Sequence, residues 1–174
     1  MAKALIGLGG NVGDVRDNLD LAVTLFCDGS DVRLLAKSAH YRTPAWGITD
    51  QPPFVNLCIM VATQLPPRPL LDRALAVERQ LGRDRTNERR WGPRPVDIDL
   101  LAYDGVVMDE PGLTLPHPRL LTRAFVMVPL GEIASDWVVD GVKIKDGLAR
   151  LLAQGDAEGI ERLPTRHDDP AADR

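Results

Sequence analysis

Two carboxylates spaced one residue apart are the clearest chemical signal in this chain of 174 residues. Asp97 and Asp99 alternate with Val96, Ile98 and Leu100, a period of two that indicates a β-strand with both carboxylates on one face. Side chains held roughly 6.6 Å apart in this way repel each other unless a cation lies between them. Asp oxygens suit Mg²⁺, and two such ions could share the pair and assist displacement at phosphorus. The alternative is an exposed strand face with solvated carboxylates.

An arginine-rich segment comes directly before this acidic pair. Residues 79–94 contain six arginines against two acidic residues, in a chain whose formal net charge is −4. Guanidinium groups bind phosphate oxygens in a two-pronged geometry and stabilise the charge that develops in phosphoryl transfer. A solvated basic loop is the alternative. A basic loop beside a metal-binding acidic pair favours a polyphosphate with Mg²⁺ as the ligand.

Aromatic and amide side chains indicate that the ligand also has a flat ring. Trp46 and Trp91 lie in Gly/Pro-rich segments, where they either fold onto the sheet or close over a ring such as adenine or a pterin. Phe54 and Asn56 share one strand face, so that one can stack on a heterocycle while the other hydrogen-bonds its edge. His117 lies between two prolines and either donates to a phosphate or caps local carbonyl groups.

The elements that must position these residues follow an α+β order. Strands are predicted over residues 3–8, 32–41, 54–63 and 96–101, with helices over 15–26 (capped by Asp14), 69–81, 124–133 and 144–154, and a hairpin turn at Asp104-Gly105 leading into 106–108. Two long irregular segments interrupt them, the first loop (residues 43–53) and the second loop (residues 82–95). The order predicts a ferredoxin-like, split βαβ fold, with an antiparallel or mixed sheet and the helices packed on one face.

Composition excludes several other classes of protein. The acidic balance argues against a nucleic-acid coat or a polybasic membrane binder, and no apolar run approaches a membrane span or signal peptide. Two cysteines outside any CxxC motif indicate a reducing compartment, so we expect a cytoplasmic protein. We expect one domain over residues 1–163 and a frayed tail over 164–174. An RNA-binding module and a dinucleotide-dependent oxidoreductase are the competing hypotheses; the acidic pair weighs against the first, and Val12, at the third glycine of a dinucleotide fingerprint, weighs against the second.

Several motifs, in this order along the chain, resemble the 6-hydroxymethyl-7,8-dihydropterin pyrophosphokinases of folate biosynthesis. They are Tyr41-Arg-Thr-Pro44 with Trp46-Gly47, Asp50-Gln-Pro52, Phe54-Val-Asn56, Glu78 with Gly82-Arg-Asp-Arg85, Arg90-Trp-Gly-Pro-Arg94 with Val96-Asp-Ile-Asp-Leu100, and Leu115-Pro-His117 with Arg123-Ala-Phe125. The resemblance implies a Mg²⁺-dependent transferase that moves pyrophosphate from ATP to the pterin hydroxymethyl group and releases AMP. It also implies two Mg²⁺ ions and small-molecule partners, with no nucleic acid and no membrane. We expect a monomer.

The resemblance also implies a role for each residue that matches the family pattern. Asp97 and Asp99 would bind the metal ions, and Arg83 and Arg94 would engage phosphates during catalysis. The ATP contacts would be Glu78, Arg85, Ile98, Thr114, His117 and Arg123. The pterin contacts would be Thr43, Pro44, Trp46, Phe54, Asn56, Trp91 and Phe125, with Phe54 and Phe125 as the stacking pair, and Gln51 and Pro52 would belong to a loop that closes. The chain departs from the pattern at Gly10, Leu75, Gly112 and Pro118.

Overall fold

The computed structural model describes residues 1–45, 50–86, 88, 90 and 92–165. In chain order its elements are β1 (Ala2–Gly10), α1 (Val15–Phe26), β2 (Val32–Lys37), β3 (Tyr41–Thr43), β4 (Phe54–Thr63), α2 (Pro67–Gln80), β5 (Asp97–Tyr103), β6 (Met108–Glu110), β7 (Leu113–Leu115), a 3-10 turn (Leu120–Thr122), α3 (Ala124–Ile133), β8 (Val138–Val139), β9 (Val142–Lys143), α4 (Ile144–Ala153) and β10 (Glu161–Arg162).

The main sheet has the strand order β10-β3-β4-β1-β5, and β2 also pairs with β4. Every pairing in it is antiparallel, including β1 with its neighbours β4 and β5. Helix α1 connects β1 to β2 and helix α2 connects β4 to β5, which completes two split βαβ units. The predicted ferredoxin-like α+β fold is therefore confirmed.

Helices cover both faces of this sheet, so the prediction that they pack on one face is wrong. One buried cluster joins α1 and α2 to side chains such as Ile6 and Ile59. A second cluster joins α3 and α4 to the opposite face through side chains such as Leu5 and Leu101. The central strands are apolar on both sides, and the two C-terminal helices bury the face that the first two helices leave open.

Two predicted strand boundaries differ from the structure for local reasons. The strand predicted over residues 32–41 is divided into β2 and β3, because the Ser38 hydroxyl accepts the Cys58 amide hydrogen at 3.0 Å, where a ladder carbonyl would otherwise stand. The Asp104-Gly105 turn forms, but the predicted hairpin with β5 does not. The Asp104 amide instead donates to the Lys3 carbonyl, and β6 pairs with β7.

Other predicted boundaries are confirmed. Asp14 caps α1 by accepting the Asp17 amide hydrogen, and β4 and α3 have the predicted limits. Helix α2 begins two residues earlier than predicted, at Pro67, where a missing amide hydrogen costs nothing. In the described ranges none of the helices is long and apolar enough to cross a bilayer. At the start of the predicted tail, the Pro164 carbonyl accepts a hydrogen bond from Arg16 at 2.7 Å; residues 166–174 lie outside the described part.

Candidate active site

A cavity of about 500 Å³ opens above the ends of β1, β4 and β5. It brings together twelve of the residues that the sequence predicts for the site, from three strands (β3, β4 and β5), the two loops, the segment before α3 and α3 itself. They are Thr43, Pro44, Phe54, Asn56, Arg83, Arg85, Arg94, Asp97, Asp99, His117, Arg123 and Phe125. Residues far apart in the sequence thus converge on one concave surface.

Glycines on β1 form the floor of this cavity. Gly7 and Gly9 lie opposite Asp99 and Asp97 across the β1–β5 ladder, and Gly9 also lies opposite Asn56 across the β1–β4 ladder. A Cβ atom at position 9 would overlap the Asn56 side-chain oxygen. The absence of side chains here leaves room for a ligand between the acidic pair and the amide.

The two carboxylates of the acidic pair have different surroundings. Arg83 donates to Asp97 Oδ1 at 2.8 Å, and Arg94 and Arg85 approach the same carboxylate at 3.4 and 3.8 Å. Asp99, in contrast, receives no hydrogen bond from any residue in the described ranges. Burial, and after it the charge of Asp97, raises the Asp99 pKa from 3.8 to about 7. Asp97 is neutralised by arginine, whereas Asp99 lacks a counter-charge in direct contact.

Glu78, near the C-terminal end of α2, holds two arginines of the second loop, Arg83 and Arg85, in place. Its buried carboxylate accepts three hydrogen bonds: from the Ile98 amide at 2.8 Å, from Arg83 Nη1 at 3.1 Å and from Arg85 Nη2 at 2.7 Å. Burial raises the Glu78 pKa, and the Ile98 amide and the two arginines oppose that rise. Glu78 therefore links the helix, the strand that carries the acidic pair and the second loop.

Arg83 is the most enclosed of these arginines, with a side chain only 3% exposed. Besides Glu78 and Asp97 it contacts Glu88, whose two oxygens lie 2.9 and 3.0 Å from Arg83 Nε. Burial alone would lower the Arg83 pKa, but Glu88 and Asp97 raise it above its ordinary value. Arg83 is thus a cation shared among three carboxylates, while the Arg85 side chain is half exposed.

The opposite wall of the cavity has the chemistry of a heterocycle pocket. Asn56 Nδ2 donates to Thr43 Oγ1 at 2.8 Å, which fixes the orientation of the amide. Phe54 and Phe125 supply aromatic surface, and the Arg123 guanidinium lies 5.5 Å from the centroid of the Phe125 ring. An oriented amide between aromatic side chains can bind a flat polar ring by stacking and by hydrogen bonds to its edge.

His117 lines the same cavity with a defined tautomer. Its Nδ1 accepts the Arg119 amide hydrogen at 3.1 Å, so the neutral ring carries its proton on Nε2. Burial, followed by the charges of Arg123 and Arg119, lowers the His117 pKa. The ring therefore accepts an amide hydrogen instead of capping a local carbonyl group as the sequence alternative had it, and Nε2 can serve as a donor.

Three predicted residues in the described part of the chain, Glu78, Ile98 and Thr114, do not line the cavity. Ile98 is 2% exposed and packs in the core beneath the sheet. Glu78 contacts Arg83 and Arg85 from the side away from the cavity. The Thr114 hydroxyl donates to the Asp109 carboxylate on the neighbouring strand β6. Trp46 and Trp91 lie outside the described residues. The residues that sequence reasoning missed include Gly7, Gly9, Glu88 and Arg90, and the alternating glycines inside a strand were the available signal.

The acidic pair fits divalent cations whose coordination shells are completed by a bound ligand. Within the described ranges there is no group of three or more His, Cys, Asp or Glu residues able to hold a metal ion. Asp97 and Asp99 by themselves supply carboxylate oxygens, the donors that Mg²⁺ prefers, and no positively charged group in the described ranges is in direct contact with the Asp99 carboxylate. Phosphate oxygens and water would have to complete each coordination shell, as is usual for Mg²⁺ bound with a nucleotide.

Comparison with known proteins gives a consistent family. The model of 7,8-dihydro-6-hydroxymethylpterin-pyrophosphokinase (HPPK) matches residues 5–135. The Methylorubrum extorquens protein named 2-amino-4-hydroxy-6-hydroxymethyldihydropteridine pyrophosphokinase is 47% identical over 163 residues, covering 94% of this chain and 99% of that protein. The Pseudomonas aeruginosa protein of the same name is 38% identical, covering 93% of this chain and 97% of that protein.

A solved structure shows the same fold at much lower sequence identity. Plasmodium falciparum HPPK-DHPS, in its crystal structure with SDX-DHP, superimposes with a TM-score of 0.70 at 11% identity, covering 95% of this chain. This chain spans about half of that protein, since the match covers 48% of it. The family model and the two bacterial relatives carry the assignment: the chain belongs to the 7,8-dihydro-6-hydroxymethylpterin-pyrophosphokinase family.

Proposed function

We propose that this chain transfers pyrophosphate from ATP to the hydroxymethyl group of 6-hydroxymethyl-7,8-dihydropterin and releases AMP. The observation that carries the proposal is that one cavity is lined by an acidic pair with its arginines and by an oriented amide with two phenylalanines. The first wall suits a triphosphate and the second suits a pterin. Membership in the family and the names of the bacterial relatives support the same reaction.

In this reaction the pterin hydroxyl oxygen forms a bond to the β-phosphorus of ATP. The bond between that phosphorus and the oxygen bridging to the α-phosphate breaks, AMP leaves with the electron pair, and the hydroxyl proton is lost to solvent or ligand. Such a transfer depends mainly on positioning and on charge stabilisation. No side chain is needed as a nucleophile.

The arginines have different roles on the side of the cavity that would bind the phosphates. Arg85 and Arg94, together with Arg123 and the Nε2 donor of His117, present donors to the cavity where negative charge accumulates. Arg83 forms an ion pair with Asp97 in the ligand-free protein, and Glu78 positions both Arg83 and Arg85. Ile98 and Thr114 are left out of the proposed ATP contacts, because Ile98 packs in the core and neither side chain lines the cavity.

Asp97 and Asp99 would hold the Mg²⁺ ions. When bound by this pair, Mg²⁺ would supply positive charge that neutralises the triphosphate and makes the pterin hydroxyl easier to deprotonate. The chain's own contribution is to keep two carboxylates on one strand face, in a cavity that limits the access of water.

Asn56, Phe54 and Phe125 would hold the pterin ring, with Thr43 fixing the amide and Pro44 completing the wall. An amide offers a donor and an acceptor to the pyrimidinone edge of a pterin, and the rings on either side exclude water from it. Trp46 and Trp91 remain predicted pterin contacts from the sequence.

The test is an assay with ATP, 6-hydroxymethyl-7,8-dihydropterin and Mg²⁺, with nucleotides separated by ion-exchange chromatography. We expect AMP in amounts equal to the pterin pyrophosphate formed, and none without the pterin alcohol or with EDTA. Asp97→Ala and Asp99→Ala should each lower turnover by about two orders of magnitude or more while far-ultraviolet circular dichroism is retained. Release of ADP, or AMP production that is normal in both variants, would contradict the proposal.

The extent of the catalytic domain is part of the same proposal. We infer one domain over residues 1–163, because β10 pairs with β3 and the Leu163 amide donates to the His40 carbonyl at 2.8 Å. These contacts tie the last described strand to the edge of the sheet that leads into the first loop. A cytoplasmic location and a monomeric state stay predictions.

A further inference from the structure

One buried side chain at the end of β1 contacts the first loop. Asn11 follows β1 directly and is 5% exposed. Its Nδ2 donates to Gln51 Oε1 at 3.0 Å and to the Pro52 carbonyl oxygen at 2.9 Å. Both acceptors belong to the first loop and lie just before Phe54, where β4 begins at the pterin wall.

The same residue contacts the end of the second loop. The Arg94 amide donates to Asn11 Oδ1 at 2.9 Å, and the Asn11 amide donates to the Arg94 carbonyl at 2.9 Å. The Arg94 side chain reaches into the cavity, where it approaches Asp97. Asn11 thus donates through Nδ2 to the first loop and accepts through Oδ1 from the second loop.

Gly10 allows the backbones to come this close. A Cβ atom at position 10 would overlap the Pro95 carbonyl oxygen and would lie 3.3 Å from the Arg94 carbonyl oxygen. A residue with a side chain here would push the end of the second loop away from β1. The packing of Gly10 and the hydrogen bonds of Asn11 are separate observations that mark the same contact point.

We propose that Asn11 is a positioning residue that holds the first and second loops in one relative geometry. It does not line the cavity, so it acts through Gln51 and Pro52 on one side and through Arg94 on the other. The amide is required because an Asp side chain lacks the donor and a Leu side chain lacks both functions. For catalysis the inference rests on the proposed function, because in-line transfer is sensitive to displacements of about 1 Å between the pterin and phosphate sides.

Amide hydrogen exchange on the full ligand-free chain tests the proposal independently of activity. Asn11→Ala removes three side-chain hydrogen bonds, whereas Gln51→Ala removes only one of these three and keeps the Asn11 bonds to Pro52 and Arg94. We expect Asn11→Ala to speed exchange at least about threefold in peptides from both loops. Gln51→Ala should also speed exchange of the Arg94 amide, by a smaller factor, because Asn11 loses one of the bonds that fix its side chain although Gln51 belongs to the other loop.

Asn18→Ala is the matched control, because Asn18 donates one exposed bond of 3.4 Å to the Val12 carbonyl and contacts neither loop. We expect it to leave exchange in both loops unchanged. The proposal is overturned if exchange rises in neither loop, if it rises only in the loop that carries the substitution, or if it rises equally in a β4 peptide of residues 57–62, which would indicate general destabilisation.

Turnover provides the second measurement. Asn11→Ala should lower kcat for AMP release about tenfold and change the KM for ATP less than about threefold. The Asn18→Ala control should keep both constants, and an equal loss of kcat in the control would overturn the positioning role. A wild-type chain that releases no AMP would refute the proposed function only, because the exchange measurement still decides whether Asn11 joins the loops.

Discussion

Replacing Asp99 by asparagine should stabilise the metal-free protein while abolishing its activity. Burial and the neighbouring charge of Asp97 raise the Asp99 pKa from 3.8 to about 7. At about 1.4 kcal/mol per pKa unit, keeping this group ionised costs up to about 4 kcal/mol. Because Asp99 lines the cavity and is only partly buried, we discount the cost to about 2 kcal/mol. For a chain of this size that corresponds to a rise in melting temperature of about 4–8 °C.

The effect should depend on pH in a definite direction. A raised carboxyl pKa means that the folded state binds the proton more tightly than the unfolded state does. The cost of Asp99 is therefore absent below about pH 4, grows as the pH rises, and is complete above about pH 7. The stabilisation by Asp99→Asn should be greatest at pH 8 and should fall by more than half at pH 5.

Asp97→Asn is the matched comparison, because the two residues share one strand face but not their partners. Asp97 pairs with Arg83 at 2.8 Å and with Arg94 at 3.4 Å, so the loss of its charge should lower stability by about 1–2 kcal/mol. Differential scanning calorimetry in EDTA measures both variants. Melting temperatures that fall in both, or an Asp99→Asn gain as large at pH 5 as at pH 8, would refute the reasoning.

Three further substitutions separate binding from stability. Gly9→Ala should weaken binding of the pterin alcohol about tenfold or more while sparing ATP, because the new methyl group would displace the Asn56 amide; calorimetric titrations with unchanged pterin affinity would contradict this. Glu78→Gln should cost about 2 kcal/mol in urea unfolding, because the buried Arg83 loses one of its three carboxylate partners and Arg85 loses its closest one, and a cost below about 1 kcal/mol would argue against an anchoring role. Arg73→Ala removes the guanidinium that donates to the carbonyls of Phe26 and Leu25, at the C-terminal end of α1, at 2.7 and 3.2 Å. It should therefore lower the free energy of unfolding by about 1–2 kcal/mol. A loss of turnover beyond about twofold would contradict a purely structural role.

Local signals in the sequence predicted most of the elements and the shared strand face of the acidic pair. The limits of β4 and α3 follow from apolar composition between loop-forming residues, and the start of α1 follows from the Asp14 cap. Alternation around Asp97 and Asp99 placed both carboxylates on one strand face, which the structure confirms. In each case the information lies within a few residues of the chain, where hydrogen bonding and periodicity are local properties.

Long-range partners explain the predictions that the structure corrects. The break at Ser38 requires the amide of Cys58, which is twenty residues away, and the failed hairpin after β5 depends on the carbonyl of Lys3. Nothing in the neighbouring sequence distinguishes these outcomes from the ones expected.

The sequence by itself determined the type of chemistry, because paired carboxylates, clustered arginines and an aromatic–amide pair have properties that do not depend on their partners. Only the tertiary structure decided how charge is distributed among them: Asp97 is neutralised by arginines, Asp99 is not, and Glu78 supports the network from behind. It also revealed Asn11, whose contacts are 40, 41 and 83 residues away. Electrostatic energies and hydrogen bonds depend on distance in space, and only the packed sheet sets those distances.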